Sequence, residues 1–187
     1  FNWENYIETK LDRNASDKRK YLDYDLMDEE VPEMSSALDV NADFVVYPSD
    51  TSKTEIFKVA HNRSSIQKKI NDITLRTNMQ QEFYTMVRNA LKYGDNFEEL
   101  VFTKDRKKVL GFRHISVRTM IPNIENGNFI EPAYLQVNDV GKTIAELNEN
   151  EVFHLCLALD RNKYVKYRKG VSMLQFARLS YRQLRLM

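Results

Sequence analysis

The sequence predicts an α+β fold: N-terminal helices, then a meander of short, mostly antiparallel strands, then a long closing C-terminal helix. Three observations predict it. Apolar residues recur at helical spacing as far as Leu91. Beyond Gly94 the period shortens to that of strands, and turn formers crowd in at Pro122, Asn126, Gly127, Pro132, Asn138 and Gly141. From Val171 to Met187 helical spacing returns. The chain has 187 residues and 42% hydrophobic content, enough for one core of ordinary domain size. Cys156 is the single cysteine, so no internal disulfide staples the fold, and the composition suits a reducing compartment.

Trp3, Tyr6, Ile7 and Leu11 have the spacing of a short amphipathic helix that could dock on a neighbour. Asp17 to Glu30 predicts a second helix, charged but interspersed with Tyr21, Leu22, Tyr24, Leu26 and Met27, ending before Val31 and Pro32. Pro32 suits the first turn of a third helix, where its missing N–H has no partner to lose, and Glu33 complements that helix's dipole. Pro48 ends this helix near Tyr47. A strand signal follows at Ile56 to Val59. Asn62 or Ser64 can cap a helix carrying Ile66, Ile70 and Ile73, and another carries Met79, Phe83, Met86, Val87, Ala90 and Leu91 up to a left-handed Gly94.

Phe97 to Phe102 reads as a strand, Asp105 to Lys108 as a polar turn and Val109 to Met120 as further strand. Asn126-Gly127 is a tight-turn pair, with short strands expected at Tyr134 to Val137 and Thr143 to Ile144. Glu151 to Leu159 is a last strand, and Ser172 with Gln175 makes a capping box for the closing helix. The chain divides into an N-terminal helical segment (1–50), an α+β core (51–160) and a basic connector with the closing helix (161–187). It contains no repeat and no run of about 18 apolar residues, which predicts no membrane span. The start at Phe1 and a closing helix that stops in mid-pattern predict that the chain belongs to a longer polypeptide.

The net charge of +1 hides an asymmetry. Arg161 to Met187 holds eight Lys or Arg and no acid, so the rest of the chain carries a net of −7. Arg178, Arg182 and Arg185 share one helix face, next to an apolar stripe of Leu174, Ala177, Tyr181 and Leu184. Such a basic face can meet a neighbouring acidic subunit or DNA phosphates. Subunit contact is the first expectation, because the balancing negative surface lies in this same chain. A non-enzymatic nucleic-acid binding module using this basic end is the alternative, and ordinary solvated surface is the plain explanation of both.

Catalytic signals are sparse. His61, His114 and His154 each lack a partner at metal-ligand spacing, and no phosphate-cradling glycine loop exists. His154 and Cys156, two apart on a strand, would share one face, which is more simply a packed strand face than a nucleophilic dyad. Asp28, Glu29, Glu30 and Glu33, with Asp39 and Asp43 one helical turn apart, could hold a divalent ion for phosphodiester cleavage, but solvated helices carry many such pairs. The expectation is therefore no enzyme, no cofactor, no metal site and no catalytic residue.

Three segments resemble one family. YLDYDLMDEEVPEMSSALDVNADF (Tyr21 to Phe44) is similar to an acidic segment followed by a helix reading SSALD and AD in portal proteins of contractile-tailed phages, here Ser35, Ser36, Ala37, Leu38, Asp39, Ala42 and Asp43. YGDNFEELVF (Tyr93 to Phe102) resembles that family's helix end, glycine turn and first strand of the wing sheet. HLCLALDRNKYVKYRKGVSMLQFARLSYRQLRLM (His154 to Met187) resembles the strand, Gly-x-Ser turn and helix leading to the portal stem. Order and spacing agree across most of the chain. Arg168-Lys169 departs from the pattern, where a shorter, aromatic lead into Gly170 is expected.

The resemblance implies a portal wing-like fold and the start of a stem helix, in a structural subunit of a ring of twelve copies at one capsid vertex of the virion, assembled in the host cytoplasm. It implies as partners the major capsid protein, terminase, head-tail adaptor proteins and double-stranded DNA in the channel, with no membrane. Arg178, Arg182, Arg185, Lys166, Arg168 and Lys169 would then contact DNA or a neighbouring subunit, with Asp39 and Asp43 as acidic counterparts.

Overall fold

The computed structural model describes residues 19–47, 59–157 and 169–185. The helix expected at Trp3 to Leu11, all but Val59 of the strand expected at Ile56 to Val59, and the basic residues Lys166 and Arg168 lie outside the described residues, and Val59 is in no strand. The rest is mixed α+β, as the sequence predicts. Its helices are α1 (19–30), α2 (Pro32–Val46), α3 (Ser64–Arg76), α4 (Met79–Tyr93) and α5 (Arg178–Arg185). Its strands are β1 (Asp95–Phe102), β2 (Val109–Ile115), β3 (Met120–Glu125), β4 (Asn128–Val137), β5 (Thr143–Leu147) and β6 (Val152–Cys156).

Local chemistry sets the helix boundaries. Val31, extended at φ −120°, separates α1 from α2, because a residue before proline is driven out of the helical region. Pro32 then opens α2. Arg63, rather than Asn62 or Ser64, occupies the N-cap of α3, and no side chain caps it. The left-handed Asn78 (φ 53°) redirects the chain into α4. Gly94 (φ 91°) ends α4, its N–H reaching the Ala90 carbonyl at 2.7 Å.

Two three-stranded antiparallel sheets follow, ordered β2-β1-β6 and β3-β4-β5. The stretch Val109 to Met120, expected as continuous strand, is divided between them. The Ser116 carbonyl accepts both the N–H and the Oγ1 hydroxyl of Thr119 (3.0 and 2.9 Å), closing a turn that sends β3 into the second sheet. Asn126 and Gly127 are both left-handed (φ 50° and 82°), which gives the expected tight turn between β3 and β4. The expected strand from Glu151 begins one residue later, after a 3₁₀ turn at Glu149–Glu151.

The closing segment also differs. Instead of one helix from Val171, a 3₁₀ turn at Met173–Phe176 precedes α5. Ser172 caps that turn, accepting the Leu174 N–H at 2.9 Å, but the expected reciprocal partner is missing: the buried Gln175 Oε1 has no hydrogen bond. Ser172 donates its own proton to the Lys92 carbonyl, so a long-range bond to α4 decides where the segment turns.

One apolar cluster joins these parts. Tyr21, Tyr24 and Met27 of α1, Leu38, Ala42 and Val46 of α2, and Val87 and Leu91 of α4 are continuous with Phe97, Ile115, Met120, Tyr134, Val152, Leu174 and Tyr181. Both sheets therefore share the core of the helical layer. By contrast α3 buries no residue, and Arg76 Nη1 ties its end to the Val109 carbonyl of β2 at 3.0 Å.

Candidate functional site

One buried polar arrangement lies where α4 becomes β1. Gly94 and Gly170 cross backbone to backbone. A Cβ built on Gly94 would lie 2.6 Å from the Gly170 carbonyl carbon, and one on Gly170 would overlap the Gly94 carbonyl outright. Leu157 bridges them, its N–H donating to the Gly94 carbonyl and its own carbonyl accepting from Val171, both at 2.8 Å. Only residues without a side chain allow this approach.

Asp95, 1% exposed, pins the crossing. Its Oδ1 accepts from the Gly170 N–H and from His154 Nε2, each at 2.8 Å. A carboxylate only accepts, so Nε2 carries the ring proton. The other nitrogen, Nδ1, is 3.4 Å from the Tyr134 hydroxyl, and the ring stacks on Phe97 with centroids 4.3 Å apart. Cys156 completes the group. Asp95, His154 and Cys156 each offer a ligand atom within 4.8 Å of the others, the one such set among the described residues.

The chemistry available here is limited. Burial, then the Asp95 charge and its hydrogen bond, push the Cys156 thiol far above its ordinary range, so it stays protonated and is a poor nucleophile. His154 Nε2 is bound to Asp95 and Nδ1 faces the Tyr134 hydroxyl, and that Asp95 oxygen already accepts two N–H donors. The arrangement is built to hold two chain segments together. His154 and Cys156 share a strand face, as their spacing predicts. Asp95 and the meeting of the two glycines were not identified as a site from sequence, although both glycine-bearing segments stood out there.

A second polar network joins the first three packed helices. Arg88 of α4 makes a bidentate contact with Asp28 of α1 (3.1 and 2.9 Å), reaches Asp39 of α2 at 2.6 Å and contacts Ser35 at 3.3 Å. Lys92 lies 2.9 Å from Asp25 and 2.8 Å from Asp28. Tyr93 and Arg118 also bind Asp25. Burial works to raise the Asp28 carboxyl, but the hydrogen bonds from Arg88 and Lys92 outweigh it and hold it well below the usual carboxylate range. Hydrogen bonding to Asp28 correspondingly raises Arg88. Asp28 and Asp39, which the sequence offers as carboxylates for a divalent ion, are here the partners of cations.

The terminal arginines form a third group. Arg178 and Arg182 both engage Asp23 of α1, Arg182 at 2.9 Å. Arg185 lies 3.3 Å from Glu30, which also accepts the Tyr181 hydroxyl at 2.6 Å. Within the chain the acidic counterparts of these arginines are Asp23 and Glu30. Asp39 is engaged by Arg88, and Asp43 lies near Tyr84, whose phenol burial and then Asp39 and Asp43 raise. The arginine face thus turns towards α1. Lys169 is half-buried beside Gly170.

Among the described residues, no helix is long and apolar enough to cross a membrane. Neither the family models nor the curated proteins compared with this chain match it.

Proposed function

We propose that this chain is the wing region, with the start of the stem, of a tailed-phage portal subunit. In this reading it is a structural protein that carries out no catalysis. Copies form a closed ring at one capsid vertex, through which double-stranded DNA is packaged and ejected. Terminase, the major capsid protein and head-tail adaptors dock on that ring, and ATP hydrolysis belongs to the motor.

The observation that carries the reading is the glycine crossing. The segments from Tyr93 and from His154, which separately resemble the portal family, are far apart in sequence, yet Gly94 meets Gly170, and Asp95 binds both His154 and Gly170. Segments that resemble one family and also interlock are better explained as parts of one inherited unit than as separate turn and cap signals. A second support is the chemistry: a protonated Cys156 thiol and carboxylates already paired with Arg88 and Lys92 favour a mechanical role.

The test is the mass and negative-stain image of the full-length protein at moderate salt. A closed ring with a central channel is the expected result. A monomer or dimer at every concentration and salt would overturn the reading.

A further inference from the structure

A surface helix ordinarily turns its apolar side inward and its charges to water. α5 follows this only in part: Tyr181 is buried, but Leu179 and Leu184 are exposed while the arginines face α1. Arg178, Tyr181, Arg182 and Arg185 are directed at α1 through Asp23 and Glu30, as described above. Leu179, Ser180, Gln183 and Leu184 lie on the other side of the helix, and all are exposed. Phe176, in the turn just before α5, is 81% exposed. The outward face is therefore uncharged, two leucines beside Ser180 and Gln183, with Arg182 and Arg185, each about half exposed, at its margin.

α2 carries a second such face. Its Leu38, Ala42 and Val46 are buried, while Val40 and Phe44, one turn apart, are exposed on the outside, Phe44 at 82%, and the extended Tyr47 just past the helix end is exposed as well. The margin of this stripe is acidic, with Glu33 and Asp43, while Asp39 beside them is engaged by Arg88. Both faces are exposed in one and the same chain, so neither covers the other. Paired aromatic and leucine side chains left in water on two helices mark contact surfaces.

We propose that the outward faces of α5 and α2 are the two halves of one head-to-tail contact between copies of this chain. The charges at the margins decide the geometry. An α5 face against another α5 face would set arginines against arginines, and an α2 face against another α2 face would set acids against acids. An α5 face on an α2 face brings opposite charges together around an apolar centre. A contact between two different patches leaves one of each free on every pair, so it propagates, and it closes into a ring when the rotation per subunit allows. The assignment rests on the ring reading above and names the surfaces that would form the ring.

The experiment uses the full-length protein and two substitutions, Phe44→Arg and Leu179→Glu, each placing on an exposed position a charge that repels the opposing margin. Circular dichroism should be unchanged, because neither side chain is in the core. Mass photometry and negative stain should show each variant alone requiring at least a tenfold higher concentration for half-assembly. An equimolar mixture should regain assembly at least to dimers, since the α5 face of Phe44→Arg and the α2 face of Leu179→Glu are both intact. If the wild type forms rings and both variants form them equally well, the contact is wrong and the ring reading stands. Open chains of wild-type subunits, lost in both variants and replaced by dimers on mixing, would keep the contact and overturn the ring. A wild type that stays monomeric throughout overturns both, as does capture of a different protein by these faces without self-assembly.

Discussion

Gly170 is required by space, because a methyl group there has nowhere to go: the Gly94 carbonyl occupies its position and the Leu157 carbonyl is 3.0 Å away. Gly170→Ala should force the two segments apart and lower stability by about 3 kcal/mol, at the upper end of overpacking effects. Gly111→Ala is the internal comparison, since nothing lies within 4 Å of a Cβ there, and it should stay within about 0.5 kcal/mol of the wild type. Urea titration of both variants checks the contrast, and equal losses would remove the steric argument. Asp28 makes a prediction of a different kind. Its folded carboxyl titrates below its ordinary value of 3.8, so the stability it contributes is present above that value and is lost as pH falls towards the folded value. Asp28→Asn should cost about 2 kcal/mol at neutral pH, because Arg88 and Lys92 each lose a charged hydrogen bond while keeping Asp39 and Asp25. Its stability should then fall less steeply than that of the wild type below about pH 4. Denaturant titrations across pH 2 to 7 measure both, and parallel curves would show that the Asp28 charge contributes nothing.

α5 shows what an element's own sequence can and cannot specify. Its arginine face was legible from helical spacing, but the apolar stripe was not: Tyr181 is buried on the arginine side while Leu184 is exposed on the other, and Leu174 and Ala177 lie before the helix. Which face turns inward was not legible either, because that depends on Asp23 and Glu30, more than 150 residues away in α1. The continuous closing helix expected from Val171 failed for a related reason: Ser172 bonds the Lys92 carbonyl, a tertiary contact that propensity and capping rules do not contain. Elements whose boundaries are set by neighbours in sequence were read closely, as at Pro32, Gly94 and Asn126-Gly127. The candidate site was legible only in parts, with His154 and Cys156 paired by strand spacing while Asp95 was passed over. If Asp23 holds α5 in place, Asp23→Ala should loosen that helix without unfolding the molecule. A loss of about 2 kcal/mol for charged hydrogen bonds corresponds to roughly thirtyfold faster amide exchange in α5. Exchange in α4 should be unaffected. Equal acceleration in both helices would mean that Asp23 supports the whole fold rather than the docking of α5.

At the scale of the molecule, the helices and the two sheets are distinct layers that share one core, and the second sheet joins it through very few side chains. Tyr134 of β4 is the main one. It is 3% exposed and meets Phe97 at 5.9 Å between centroids, Phe129 at 5.0 Å and His154 at 6.0 Å. Phe97 and His154 belong to the first sheet, so the β3-β4-β5 sheet communicates with the helices through this aromatic group and the adjoining Met120 and Leu147. A continuous core of this kind unfolds as a unit, and the wild type should show one transition with coincident far-ultraviolet dichroism and aromatic fluorescence. Tyr134→Ala removes the junction. Truncating a buried aromatic costs about 3 to 5 kcal/mol, and here the loss falls on the seam between sheets. The two probes should then separate, with the fluorescence change preceding the loss of helical signal, because α1, α2 and α4 retain their own apolar contacts and the Arg88 network. If Tyr134→Ala lowers the midpoint but leaves the probes coincident, the junction is one core contact among many and the layers are not separable. If the wild type already shows two transitions, the shared core does not couple them, and the segment boundaries expected from sequence near residues 50 and 160 would mark units that fold separately.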